Sequence, residues 1–210
     1  MSKSNEVYDL VIERLIHADF TFGDRLLVRE LAEETGASRQ PIMSALNRLS
    51  AEGFVHIVPQ VGCEVINPSR DEIGDFFRLF EMLEGLLAEL AATRRTDEEV
   101  MDLKMSQERL RMMSKSANAS PGQYLNLNQA FHRHLHTMAK SPILARKQGN
   151  NFNMIDFFIS QSIGFETLMK DSFLEHDEII EAIENQSADK ARKLSEEHIS
   201  AIAVSVLTKL

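Results

Sequence analysis

Apolar residues recur at helical spacing through most of this chain, and the few breaks in that rhythm divide it. Val7, Leu10, Val11, Arg14 and Leu15 share one face of a first helix expected over residues 4–19. From Leu27 to Leu49 the pattern gives two short helices around a tight turn. The first carries Leu27, Leu31 and Ala32, and Gly36 supplies the positive φ that the turn demands. Ser38 suits the N-cap of the second helix, and Pro41 falls in its first turn, where a missing N–H costs no hydrogen bond. Ile42, Ala45, Leu46 and Leu49 form its buried stripe, and Gly53 ends it. The rhythm then shortens. Phe54–Val58 reads as a strand, Pro59–Gly62 as a turn and Cys63–Ile66 as a returning strand. Two helices around a glycine turn, followed at once by a hairpin, predict a winged helix-turn-helix.

Asn67-Pro68 marks a boundary, because a residue before proline avoids the helical region. Beyond it helical spacing returns. Ser69-x-x-Glu72 opens a long helix with Ile73, Phe76, Phe77, Phe80, Leu83, Leu87 and Leu90 on its apolar side. Thr96-x-x-Glu99 opens a second, running to about Lys115, and Ser116–Ser120 is a polar loop. Ser120-Pro121 and Ser141-Pro142 start helices to about Lys140 and Ser162. Ser172-x-x-Glu175 caps one to about Asn185, and the last begins near Ala188. The expected fold is therefore mainly α: a winged helix-turn-helix over residues 1–67, then an all-α antiparallel bundle over residues 68–210.

Composition narrows the function. The chain has 210 residues, 43% hydrophobic and 26% charged, as in ordinary globular proteins. Its single cysteine, Cys63, excludes an internal disulfide framework. It lacks the profile of a signal peptide and any apolar run able to span a bilayer, so a cytoplasmic location and no membrane partner are expected. The net charge of −9 runs against nucleic-acid binding. The charge is uneven, however: from Ser38 to Ala51 there are two arginines and no acid. On the polar face of that helix stand Arg39, Gln40, Met43, Ser44 and Asn47. Such a face can enter a major groove or serve a protein contact, and spacing alone leaves both open.

The bundle holds the other candidate chemistry. Asn128 and His132 lie one turn apart on a face shared with Leu125, Leu135 and Ala139. His176 shares a stripe with Ile179, Ile180 and Ile183, and His198 shares one with Ala191, Leu194, Ala201 and Ile202. Three imidazoles from three helices thus point inward. Converging, they suit a divalent ion, with Asn128 adding an oxygen; not converging, they are hydrogen-bonded core residues. His134 lies off that face, and His136 lies near it as a competing ligand. Catalysis is not expected, since neither HExxH nor paired ExxH motifs occur. Glu81, Glu84 and Glu175 are the nearest general bases and read as solvated or capping charges. A helical metalloenzyme or a non-DNA-binding interaction module is the rival class.

Taken together, the segment from Leu26 to Val55, with NQAFHRHL at Asn128–Leu135, EHDEIIEAI at Glu175–Ile183 and EEHI at Glu196–Ile199, resembles GntR-type transcriptional regulators of the FadR C-terminal-domain (FCD) branch. The resemblance covers nearly the whole chain. It implies a homodimer binding a palindromic operator in double-stranded DNA, most often as a repressor, and a helical domain that senses a small-molecule effector. It places DNA contacts on Arg29, Ser38, Arg39 and the wing glycine Gly62, beside Gln40 and Ser44 of the exposed face. It implies Zn, Ni or Mn held by Asn128, His132, His176 and His198. Two departures stand out. Met43 replaces an arginine common in the recognition helix, and Phe80 replaces an arginine that helps hold an effector carboxylate in many relatives, one turn before Glu84.

Overall fold

The computed structural model describes residues 2–58, 62–115, 121–165 and 172–210, and the chain divides into two compact units. The first comprises Met1–Ser69 with Asn153–Gln161, and the second Arg70–Phe152 with Ser162–Leu210.

In the first unit, α1 (Lys3–Ile16), α2 (Val28–Thr35) and α3 (Arg39–Ala51) surround a core of Val7, Val11, Leu15, Leu31, Ile42, Leu46 and Leu49. Helix α1 ends three residues earlier than its spacing predicts. Ala18 adopts φ 59°, and the amide of Asp19 turns back to the Arg14 carbonyl, so the helical ladder cannot continue. Gly36, at φ 62°, makes the turn between α2 and α3. Ser38 is the N-cap of α3 in backbone conformation, but its side chain makes no capping bond. Leu27, expected inside, is instead the residue before α2 and stands 40% exposed.

Strands β2 (Val55–Val58) and β3 (Gly62–Val65) form the hairpin, pairing Val55 with Val65 and Val58 with Gly62. The expected turn at Pro59–Val61 lies outside the described residues. Beyond the expected hairpin there is a third strand. Strand β1 (Arg25–Leu26) pairs antiparallel with β3, giving the order β1-β3-β2. Two residues are too few to show alternation, so nothing in the spacing announces it. Residues 153–161 complete this unit: the Phe157 ring meets Phe22 edge-on at 5.2 Å and Phe54 at 6.0 Å.

The second unit is built from α4 (Arg70–Arg94), α5 (Asp97–Ser114), α6 (Pro121–Met138), the first part of α7 (Pro142–Ser160), α8 (Ser172–Glu184) and α9 (Ala188–Lys209). Leu87, Ala88, Leu103, Phe131, Leu135, Ile179 and Ile183 lie in one apolar core. Helices α4 and α9 pack closely because Gly85 has no side chain; a Cβ there would stand 2.5 Å from Cγ of Glu196. Thr96 and Glu99 form the expected capping box, with Thr96 N donating to Glu99 Oε2 at 2.8 Å and Glu99 N to Thr96 Oγ1 at 3.2 Å. The Ser116–Ser120 loop and the Ser120 cap lie outside the described residues.

Two expectations in this unit fail. Ser172, read as a cap, is the first described residue of α8, and its Oγ lies 2.8 Å from the Tyr124 hydroxyl. The inward stripe of α9 is also displaced: Ala201 is exposed, while Ser195, Ile199 and Ala203 are buried beside His198. The small, mixed residues of that helix carry too weak an apolar contrast to mark its face. Among the described residues, no helix is long and apolar enough to cross a membrane.

Candidate metal centre and nucleic-acid interface

In the first unit, burying Ile42, Ala45, Leu46 and Leu49 turns the opposite face of α3 outward. Ser38, Arg39, Gln40, Ser44 and Asn47 are exposed, and Met43 is half-buried. Arg48 belongs to the fold instead. Its guanidinium lies 3.5 Å from the centre of the Tyr8 ring, and its Nε is 3.0 Å from Glu52 Oε1. The Tyr8 hydroxyl donates to Glu52 as well, at 2.5 Å. Arg39 is therefore the cation that this face of α3 presents. Arg29 on α2 is 81% exposed, and Glu33 at 3.6 Å is a loose partner that a phosphate can displace. Gly62 begins β3 at the hairpin end.

In the second unit the candidate ligands face inward. His132 on α6, His176 on α8 and His198 on α9 are buried, and one ring nitrogen of each lies within 4.8 Å of the others. Ring centres are 5.2 Å apart for His132 and His176, 5.7 Å for His132 and His198, and 4.8 Å for His176 and His198. Phe131 stacks on His176 at 4.1 Å, and Phe152 lies 5.0 Å from His132.

Each ring is held from behind through Nδ1. That of His132 lies 2.7 Å from Glu84 Oε1, that of His176 3.1 Å from Gln107 Oε1, and that of His198 2.6 Å from Glu175 Oε2. The Gln107 amide is itself oriented, because its Nε2 donates to the Phe173 carbonyl at 3.0 Å. Nδ1 being engaged, the nitrogen each ring can offer a ligand is Nε2. Nε2 of His176 is buried without a hydrogen-bond partner, and so is Oδ1 of Asn128, one turn before His132.

This donor set fits a divalent ion. Two nitrogens bound at about 2.1 Å to one ion stand at most about 4.2 Å apart, so small ring adjustments close the observed spacing. Protonation favours it too. Burial, reinforced by the other two imidazoles, lowers the His176 pKa well below its ordinary value. Burial also lowers that of His132, against the opposing pull of Glu84. Neutral rings keep the lone pairs that a metal needs.

Spacing along single helices does not reveal the groups behind the rings, and by spacing Glu84 and Glu175 are solvated or capping charges. Glu84 is instead fully buried, and accepts from His132 Nδ1, His136 Nε2 and Gln148 Nε2. Burial alone would raise its pKa, but the two imidazoles outweigh that and hold it down. A signal existed: Glu84 lies one turn after Phe80 and just before Leu87 and Ala88, on the inner face of α4. Gln107, between Leu103 and Leu110, was legible in the same way. Glu175 carries no such mark. Phe80, where relatives were expected to carry arginine, is fully buried and meets Phe152 edge-on at 5.0 Å.

Comparison with known proteins agrees with both units. Residues 3–65 match the gntR family of bacterial regulatory proteins, and residues 75–201 match the FCD domain. The chain is 33% identical over 113 residues to the Nta operon transcriptional regulator of Aminobacter aminovorans, a stretch covering 54% of this chain and 52% of that protein. It is 22% identical over 207 residues to the transcriptional repressor RspR of Escherichia coli, covering 97% and 88%. Among solved structures, E. coli McbR/YncC superposes with a TM-score of 0.81 at 19% identity, over 99% of this chain and 98% of that one. A GntR regulator from Rhodococcus superposes with a TM-score of 0.76 at 15% identity, over 100% of both chains. With the FCD match spanning more than half of its length behind a matching winged helix, the chain belongs to the GntR family of bacterial regulatory proteins, in the branch that carries an FCD domain.

Proposed function

We propose that this protein is a transcriptional regulator that binds a palindromic operator as a homodimer and represses transcription from it. A small metabolite, bound beside a divalent ion in the helical unit, modulates that affinity. The observation that carries the reading is the convergence of His132, His176 and His198, each anchored through Nδ1, with His176 Nε2 and Asn128 Oδ1 buried and unpartnered. Asn128, His132, His176 and His198 hold the ion. Imidazole donors suit zinc or nickel, and manganese is admissible with the amide oxygen present. Bound there, the ion supplies positive charge and open positions for an effector donor.

On the DNA side, Arg39 makes the charge-assisted contact from α3, to phosphate or to the O6/N7 edge of guanine. Gln40 and Ser44 read neighbouring base edges, Ser38 and Arg29 contact phosphate, and Gly62 lets the wing backbone approach the groove. Met43 offers only apolar contact, which favours a thymine methyl where an arginine would select guanine. With a net charge of −9, non-specific attraction is weak, and occupancy depends on these contacts. The effector needs to prefer one of two arrangements of the dimer by about 1–3 kcal/mol to switch occupancy.

The test is selection of genomic fragments by the purified protein at about 0.15 M salt, run with zinc-loaded and chelator-stripped protein. One short palindrome, bound with an affinity that changes on stripping, supports the reading. Unrelated fragments that are all lost as salt rises overturn it.

A further inference from the structure

Two groups among the described residues can hold a metal ion, and they share His132: His132 with His176 and His198, and Glu84 with His132 and His136. We infer that the second group is not a metal site but the brace of the first, with Glu84 as the residue that positions His132. This rests on the metal reading proposed above and assigns Glu84, His136 and Gln148 a role within it.

The hydrogen bonds separate the two groups. Both Glu84 oxygens are already engaged. Oε1 is 2.7 Å from His132 Nδ1 and 3.0 Å from His136 Nε2, while Oε2 is 2.9 Å from His136 Nε2 and 2.7 Å from Gln148 Nε2. An ion seated there would break all of these contacts. His176 Nε2, in the first group, has nothing to lose.

The orientation of Gln148 is over-determined. Its Nε2 also donates to the Phe80 carbonyl at 3.1 Å, and its Oε1 accepts from Asn151 Nδ2 at 3.3 Å. The amide nitrogen therefore faces Glu84, and the carboxylate sees only donors. A buried carboxylate is stable only when ionised groups or hydrogen-bond donors surround it. Glu84 in turn fixes the tautomer of His132: its proton sits on Nδ1, which leaves the lone pair on Nε2 for a ligand. Carboxylates behind ligating histidines raise ligand basicity and orient the ring, and losing one costs about 10–100-fold in metal affinity.

The experiment uses the full chain, stripped and then titrated with zinc against a competing chelator. Cobalt(II) absorption serves as a second readout of ligand geometry. The unmodified protein is expected to take one zinc per chain. Glu84→Gln should keep its helical circular dichroism, bind zinc about 10–100-fold more weakly and show a shifted cobalt spectrum, and Glu84→Asp should recover part of the loss. In the stripped, unmodified protein, nitrogen chemical shifts should report His132 as the Nδ1–H tautomer, a measurement that does not depend on any variant folding. An Nε2–H tautomer overturns the inference, as does equal zinc affinity in Glu84→Gln. Two zinc ions per chain, one lost in that variant, would make Glu84 a ligand and overturn it too. No zinc at all in the unmodified protein removes the metal reading itself, and this inference with it.

Discussion

On α3, Arg39, Gln40, Ser44 and Asn47 stand in solvent opposite an apolar stripe, while on α6, α8 and α9 the candidate ligands His132, His176 and His198 lie inside. The exposed set owes nothing to the fold, since water satisfies those side chains whether or not the chain is folded. The buried set is bound to it. His132, His176, His198 and Glu84 each lose hydration on folding, and each regains hydrogen bonds from another helix: His132 from Glu84, His176 from Gln107, His198 from Glu175, and Glu84 from His132, His136 and Gln148. The first surface can therefore be substituted with little effect on stability. The second cannot change one member without stranding another.

The largest expected effect tests that asymmetry directly. Glu84→Ala leaves His132 Nδ1 and His136 Nε2 buried without their partner, and should cost about 3–5 kcal/mol. Urea unfolding of the stripped protein measures it, and a loss below about 1 kcal/mol would show that the network contributes nothing to stability.

In the first unit, the two faces of α3 should separate cleanly. Leu46→Ala, which opens a hole in a fully buried stripe, should destabilise by about 2–5 kcal/mol. Arg39→Ala should leave the unfolding midpoint within about 0.5 kcal/mol while weakening operator binding by about 1–3 kcal/mol. Fluorescence anisotropy on the selected site measures the second effect. Unchanged affinity in Arg39→Ala would falsify the assignment of this helix face.

Acid should act on the buried set. Burial lowers the pKa of both His132 and His176, whose ordinary value is 6.5. Below about pH 6.5 the unfolded chain therefore binds protons that the folded one refuses. Stability then falls as pH falls, by at most about 1.4 kcal/mol per pH unit for each neutral ring. Glu84 acts in the same direction below its ordinary value of 4.5, because its folded pKa is also lowered. Unfolding midpoints of the stripped protein at about pH 7.5 and about pH 5.5 check the sign; a rise in stability on acidification contradicts neutral rings. The smallest effect concerns neither surface. Thr96→Ala removes the cap of α5 and should cost about 1 kcal/mol, with no change in DNA or zinc binding.

Both sets of residues differ in how they could be seen in advance. The exposed face of α3 follows from its buried stripe, because on one helix the positions of Ile42, Ala45, Leu46 and Leu49 dictate where Arg39 and Ser44 point. The inward direction of His132 and His176 follows likewise from Leu135 and Ile179. Periodicity carries no information beyond the edge of each helix. Spacing on α6 says nothing of the distance to α8, and the identification of Glu84, Gln107 and Glu175 as partners of particular imidazoles depended on helices separated by 23 to 69 residues in sequence. On α9, where the residues are small and mixed, spacing places Ala191 and His198 inside correctly but not Ala201.

Taken alone, the sequence determined what is local: the helices, the capping box at Thr96, the turn at Gly36, the hairpin after α3, and which side chains one face of α3 carries. Periodicity, φ preference and capping act over a few residues, so one chain suffices to express them. Tertiary structure decided what needs two distant segments at once: the pairing of β1 with β3, the place of residues 153–161 in the first unit, the approach of α4 to α9 at Gly85, and the ring of acceptors behind three buried histidines. Those arrangements are selected by the packing of whole surfaces and the need to satisfy every buried polar group, conditions that exist only once the chain has closed on itself.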